Sequence, residues 1–308
     1  MIFSVSVDLD GLSCYAAIHG LPAGALSARS LRAVPEVALA RFCELFAEEK
    51  IAGTFFAIGS ELELPGAAAA LGKAARAGHE VGSHSHSHDY ALSRRAPAEI
   101  ADDLARAETA IWSATGARPR GFRAPGYTLS PALLAAVRAR GYLYDSSLLP
   151  SPPYYLAKAA AVGLYALRGR PSQSILGGVG QLFAGRGPHL REGVRELPVA
   201  TLPFLRGPVF GTVVLGVGEP IAAALLRFGQ AGGHLNLELH GIDALDSTDT
   251  DSPALASVQP GLALPASVKL GRLRALLRRL RARGEACTLE SAALRFWPES
   301  RPALKTRS

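Results

Sequence analysis

Short apolar runs alternate along this chain with segments of helical spacing. Residues 2–7 form a β-branched run that predicts a buried first strand, and it ends on Asp8-Leu9-Asp10-Gly11. Residues 53–59, 80–83, 121–123 and 142–145 predict four more strands. Between them, helical spacing predicts helices over residues 34–49, 65–77, 97–115 and 131–140. Strand-then-helix alternation calls for an α/β fold, a parallel sheet with covered faces that is either open or closed as a barrel. The pattern breaks over residues 149–194, a stretch holding Pro150, Pro152, Pro153 and Pro171 with many glycines, which reads as an insertion rather than a second domain. Strands resume at residues 196–199, 209–211 and 234–240, and a basic amphipathic helix is expected over 267–283. The organisation implied is one catalytic domain over residues 1–295, carrying the 149–194 insertion, and a tail over 296–308.

The polar residues that break this pattern share a location. Asp8, Asp10, His84, His88, Arg123, Asp145 and His240 all fall at or just beyond the C-terminal ends of predicted strands. In parallel β/α folds that rim is where active sites are built. The densest cluster is His84-Ser85-His86-Ser87-His88, which holds three of the eight histidines. Neutral imidazole is the commonest side-chain ligand for a catalytic transition metal. An Asp and two His leave coordination positions open for water and substrate. Asp8 and Asp10 point the same way on an extended strand, so one could bind metal while the other accepts a proton. His84 and His88 share a face if the segment is helical. If it is extended, all three rings do, and His86 becomes a third ligand. The His84/His88 pair is the preferred reading. His79 and His234 read as structural hydrogen-bonding residues.

Composition narrows the class. With 308 residues, 48% hydrophobic and 19% charged, the chain is globular and long enough for a large core. Its net charge of +7 reads first as solvated helix faces and second as attraction to an anionic membrane or substrate. No nucleic-acid motif accompanies it, so no nucleic-acid partner is expected. Cys14, Cys43 and Cys287 are odd in number and far apart, which argues against a disulfide framework. Cys14 reads as a packing residue rather than a nucleophile. The first residues carry no secretory pattern, and no apolar run is long and uninterrupted enough to span a bilayer. The expected location is therefore cytoplasmic, with a peripheral place at the inner face of the membrane as a variant.

Taken together, these residues resemble the polysaccharide deacetylase family, carbohydrate esterase family 4, also called the NodB-homology domain. Asp8-Leu9-Asp10 resembles its aspartate motif, and His84-Ser85-His86-Ser87-His88 fits H-[S/T]-x-x-H. Arg123-Ala124-Pro125-Gly126-Tyr127 fits R-x-P, Asp145-Ser146-Ser147 fits D-x-S, and Leu239-His240 closes the strand bearing the final histidine. The resemblance implies a distorted (β/α) barrel and a divalent metal held by Asp10, His84 and His88. That metal would be Zn2+, with Co2+, Ni2+, Mn2+ or Fe2+ as alternatives. The resemblance also implies Asp8 as base, held by Arg123, and His240 as acid, paired with Asp145. Many members have adjacent aspartates, whereas Leu9 separates them here, which weakens a chitin-type assignment more than the metal site. With a metal acidifying a water towards roughly pH 7, Asp8 would take its proton as it attacks an amide carbonyl. Gly126, with Tyr127 beside it, is the candidate for oxyanion and substrate contact.

The expected substrate is an N-acylated amino sugar, possible on a lipid carrier, because Tyr154, Tyr155, Leu156 and Leu164 lie near Lys158, Arg168 and Arg170 in the insertion. The rival readings are a ureide or amide hydrolase acting on a small cyclic substrate, a catalytically silent carbohydrate- or membrane-binding barrel, and a metal-binding regulator.

Overall fold

The computed structural model describes the chain apart from residues 23, 168–171, 173, 177 and 299–308, so Arg168, Arg170 and most of the expected tail lie outside the described residues. Nine strands form one sheet: β1 (Ile2–Asp8), β2 (Thr54–Ala57), β3 (Glu80–Ser83), β4 (Gly121–Phe122), β5 (Tyr144–Asp145), β6 (His189–Arg191), β7 (Val194–Glu196), β8 (His234–His240) and β9 (Glu285–Ala286). Their order is β6-β7-β5-β4-β3-β2-β1-β8, with β9 on β1. Every pairing is parallel except the β6–β7 hairpin, whose turn residues Glu192 and Gly193 both have positive φ (49° and 76°). The irregular segment 197–210 meets the far edge of β8, where Ala200 N–H donates to Asn236 O at 3.1 Å and Phe210 bridges Glu238. The sheet thereby curls into a distorted (β/α) barrel.

Alternation on β1 and β8 decides what lies inside. Phe3, Val5 and Val7, with Leu235, Leu237 and Leu239, join the main core with Leu39, Phe42, Phe46, Leu273 and Leu277 of the covering helices. Each such side chain contributes about 1.5–3 kcal/mol on burial. The other half of the alternation is polar. Ser4, Ser6 and Asp8 pair in register with Asn236, Glu238 and His240, and this ladder leads up to the catalytic rim.

The expected helices form at Leu39–Glu48, Ala67–Arg76, Pro97–Thr115, Pro131–Ala139 and Ala266–Arg281. The first is preceded by a π-helical stretch, Ala33–Ala38, where Pro35 lacks the N–H that an α-helical turn would use. The strand expected at residues 209–211 reduces to the Phe210 bridge, because Gly211 opens a helix (Gly211–Gly216). That expected at 196–199 lies earlier, as β7. The insertion contains a regular helix, Pro152–Leu167, which its sequence does not announce because apolar residues run all round it. The arginines of Ala266–Arg281 are largely neutralised within the fold: Arg274 and Arg278 bond Glu48 and Glu49, and Arg279 bonds Glu219. Among the described residues, no helix is long and apolar enough to cross a membrane.

Candidate active site

β3 ends at Ser83, and the histidine segment that follows is neither helical nor extended. Ser85 and His88 both adopt left-handed backbone (φ 64° and 52°). Asp103, from the Pro97–Thr115 helix, fixes this loop by accepting the N–H groups of His86 (2.8 Å) and Ser87 (3.0 Å). Ser85 Oγ accepts the His88 N–H at 3.0 Å. The tight path brings the His84 and His88 rings to 5.0 Å between centroids. His86 faces the other way, against Gly59, where a Cβ would lie 2.6 Å from His86 Nδ1. The loop geometry thus gives a third arrangement beside the two the spacing allowed.

His84 Nδ1 lies 2.8 Å from Arg123 O, so Nδ1–H donates to that carbonyl and Nε2 keeps its lone pair for a metal. His84 Nε2 is 3.2 Å from Asp10 Oδ1, and His88 Nε2 is 3.3 Å from the same oxygen. Asp10, His84 and His88 each offer a ligand atom, all within 4.8 Å of one another. Asp10 Oδ1 and His88 Nε2 are buried without a hydrogen bond. Orphaned donor atoms converging on one point are what a cation site leaves, since buried polar groups are otherwise paired. The electrostatics agree. Burial opposes a charge on His84, but Asp8 and Asp10 outweigh it and push the imidazole up to about 9. Burial acts against the charged Asp10 carboxylate too, yet His88 and His84 hold it well below the ordinary range. An Asp/His/His set with this surplus of negative potential fits a divalent transition metal.

The second half of the site is built on Arg123, which is fully buried just after β4. Its Nη1 donates to Asp8 Oδ1 at 2.6 Å and lies 3.4 Å from Glu238 Oε1. Nη2 donates to Ser6 Oγ and Ser146 Oγ, and Nε to Ser146 O. Asp8 keeps its second oxygen free of Arg123, 3.7 Å from His84 Nε2. Glu238 escaped the sequence reading. It sits on β8 two residues before His240, so the same alternation that ends in His240 places it inside the barrel. Its Oε2 accepts from Tyr127 OH at 2.8 Å. Burial, reinforced by Asp8, pushes its carboxyl up to about 7 despite Arg123.

His240 is half-buried, and its N–H donates to Asp243 Oδ2 at 2.9 Å. Burial disfavours its charged form, but Glu238, Asp8, Asp10 and Asp243 together raise its pKa above the ordinary value. The expected pairing with Asp145 is not what holds it. Asp145 accepts from Ser147 Oγ and faces Glu196, its register partner on β7. Burial pushes both carboxyls up, and Asp145 beside it raises Glu196 further. The reason is register: β5 lies beside β7, whereas His240 lies beside Asp8 at the other end of the strand order. Asp145 instead acts through Ser147, whose Oγ accepts the Ala124 N–H at 2.7 Å and so steadies the loop after Arg123.

That loop carries Gly126, whose φ of 61° suits glycine and whose Cβ, if present, would meet Tyr90 at 2.6 Å. Tyr127 N–H is committed to Ala124 O, and its hydroxyl to Glu238. Tyr90 packs edge-on to His88, and Tyr154 packs edge-on to Tyr127. Lys158, on the same helix as Tyr154, donates to Gly126 O at 3.1 Å. The insertion therefore walls the site. His79 accepts the Gly53 N–H, and His234 bonds Ser4 Oγ. The three cysteines are free, and burial drives the Cys14 thiol well above its usual range.

Residues 33–144, which include His84, His88 and Arg123, match the family model for polysaccharide deacetylase. A peptidoglycan deacetylase of Helicobacter pylori is 31% identical over 123 residues, 39% of this chain. The match spans about two fifths (41%) of that relative's length. Among solved structures, a Mycobacterium smegmatis protein assigned to the polysaccharide deacetylases superposes with TM-score 0.61 at 18% identity, covering 100% of this chain and 94% of that one. A family 4 acetyl xylan esterase of Clostridium thermocellum, solved with a cobalt ion, gives 0.51 at 16% identity, covering 96% and 91%. These two likenesses concern the fold. The segment that matches the polysaccharide deacetylase family, residues 33–144, carries two of the three metal-ligand candidates and the buried arginine.

Proposed function

We propose that this chain is a metal-dependent hydrolase that removes an N-acyl group, acetyl or formyl, from an amino sugar on a glycan or a lipid carrier. The observation that carries this is the pair of orphaned atoms, Asp10 Oδ1 and His88 Nε2, converging with His84 Nε2 beside a carboxylate fixed by a buried arginine. Asp10, His84 and His88 would hold the metal, Zn2+ by the chemistry of the donor set. Bound there, it supplies Lewis acidity to a carbonyl and lowers the pKa of a water.

The chain's own groups do the rest. Asp8 Oδ2 is the oxygen available to take a proton from the attacking water, because Oδ1 is engaged by Arg123. Arg123 holds that carboxylate aimed at the metal ligands. The Gly126 amide would bind the developing oxyanion. His240, whose pKa the surrounding carboxylates raise, would give its proton to the departing amine, which leaves poorly otherwise. The products are a free amine and a small carboxylic acid. A cytoplasmic location belongs to this proposal.

The test is metal analysis beside turnover of N-acetyl and N-formyl amino sugars by wild type and Asp8→Asn. Retained metal with a loss of about 10²–10⁴-fold in kcat supports the assignment. Metal-loaded wild type that turns over none of these substrates, soluble or lipid-linked, overturns it in favour of a binding barrel.

A further inference from the structure

The Pro152–Leu167 helix reverses the usual amphipathic order. Its one charged residue, Lys158, is turned inwards, donating to Gly126 O at 3.1 Å with the Tyr154 ring centroid 5.9 Å away. Burial lowers that ammonium to a pKa of about 8. The opposite face is apolar and open to solvent: Leu156 is 73% exposed, Leu164 48% and Leu167 88%. Positions 156, 160, 164 and 167 form a single stripe at helical spacing, and no charge interrupts it. Surface helices of soluble proteins carry the opposite arrangement.

Two neighbouring segments extend this surface. The Tyr155 hydroxyl lies 3.2 Å from the Gln181 amide, so the segment after Gln181 is tied to the helix. Phe183 in that segment is 74% exposed. Arg206 Nη1 donates to Ala184 O at 2.7 Å, and its guanidinium lies 5.8 Å from the Phe183 centroid. Phe204 and Leu205, just before it, are 99% and 81% exposed. These are protruding tips beside an arginine, a different shape from a flat patch that closes on itself.

Charge selects the occupant. Residues 151–206 contain seven Lys and Arg against two Asp and Glu; setting aside Lys158, turned inwards, and Glu196, buried, leaves six arginines against Glu192. Three of the five arginines of the Ala266–Arg281 helix, Arg274, Arg278 and Arg279, are by contrast matched by Glu48, Glu49 and Glu219. We propose that the exposed face of the Pro152–Leu167 helix, with the Phe183 and Phe204–Leu205 tips, docks on an anionic lipid bilayer. Leucines and phenylalanines enter the headgroup boundary while arginines meet lipid phosphates. The helix lies on the membrane rather than across it, since it is too short to span. Its inner face carries Tyr154 and Lys158 against the active site, so docking holds the site close to lipid headgroups. This surface stands independently of the deacylase reading.

The test is co-sedimentation of the full chain with phosphatidylglycerol/phosphatidylcholine vesicles and with phosphatidylcholine alone, at low and high salt. No substrate is present, so failure of the deacylase reading leaves the result unaffected. Wild type is expected to bind the anionic vesicles and to release at high salt. L156E/L164E/L167E is expected to bind about tenfold more weakly or less, with unchanged melting temperature and metal content. F204S/L205S, on a separate loop, is expected to weaken binding too. Absence of binding to anionic vesicles overturns the proposal, as does undiminished binding by both variants. A wild-type dimer that the same leucine substitutions dissociate also overturns it, because the face is then covered by a second copy.

Discussion

Two buried carboxyl pairs sit on the same sheet and do opposite things. Asp8 and Glu238 flank the guanidinium of Arg123, whereas Asp145 and Glu196 face each other and, among the described residues, form no salt bridge, with only the weaker pull of Arg191 on them. Around Arg123 a negative charge is affordable deep in the fold, because the guanidinium meets it with hydrogen bonds. Between Asp145 and Glu196 burial wins, and both carboxyls are pushed up. The motif residues Asp8 and Asp145 look alike on paper. Their neighbours make the first a group that can act on substrate and the second a brace for the loop after Arg123.

The largest effect should come from emptying the charged half. His84→Ala removes a donor from the Asp10/His84/His88 set, and metal retained after dialysis should fall to background along with activity, as read by atomic absorption. Arg123→Met leaves Asp8 and Glu238 uncompensated, and urea denaturation should show a loss of about 3–5 kcal/mol. Survival of full stability in that variant would show that the two carboxyls are not held as charges.

Smaller effects sharpen the comparison. Glu238→Gln keeps an acceptor for Tyr127 but removes a charge facing His240. The raised His240 must be protonated to act, so activity is present below its folded pKa and lost above it. Glu238→Gln lowers that pKa and should move the alkaline limb of the kcat profile to lower pH. Each pH unit of movement costs about tenfold in protonated acid above the pKa. Glu196→Gln alters the other pair, which lies away from His240 in the strand order, and its alkaline limb should stay in place. His86→Ala should be mildest, with metal content unchanged and a stability loss of about 1 kcal/mol.

Much of this was legible in residue order. The alternation of residues 2–8 and 234–240 marked the two central strands, because local spacing encodes a strand, and the histidine cluster marked two of the three groups that converge as a candidate metal site. Glu238 was legible as well: Asn236, Glu238 and His240 are the polar half of one alternating strand, and only the last was singled out. The Asp145–Glu196 pairing was not legible, since it depends on which strands become neighbours across some fifty residues of insertion. The Pro152–Leu167 helix stayed hidden for another reason. Its buried face is the aromatic and cationic one, so the apolar periodicity that announces most helices is absent.

Arg123 serves the site twice, with its main-chain carbonyl on His84 and its guanidinium on Asp8. Side-chain substitution can reach only the second of these duties. Any variant at this position therefore separates the two, disturbing the base while the imidazole keeps its anchor. Drift in the sequence at this one codon can weaken proton transfer without dismantling the metal ring, a route by which a barrel of this kind could lose turnover and still bind its ion.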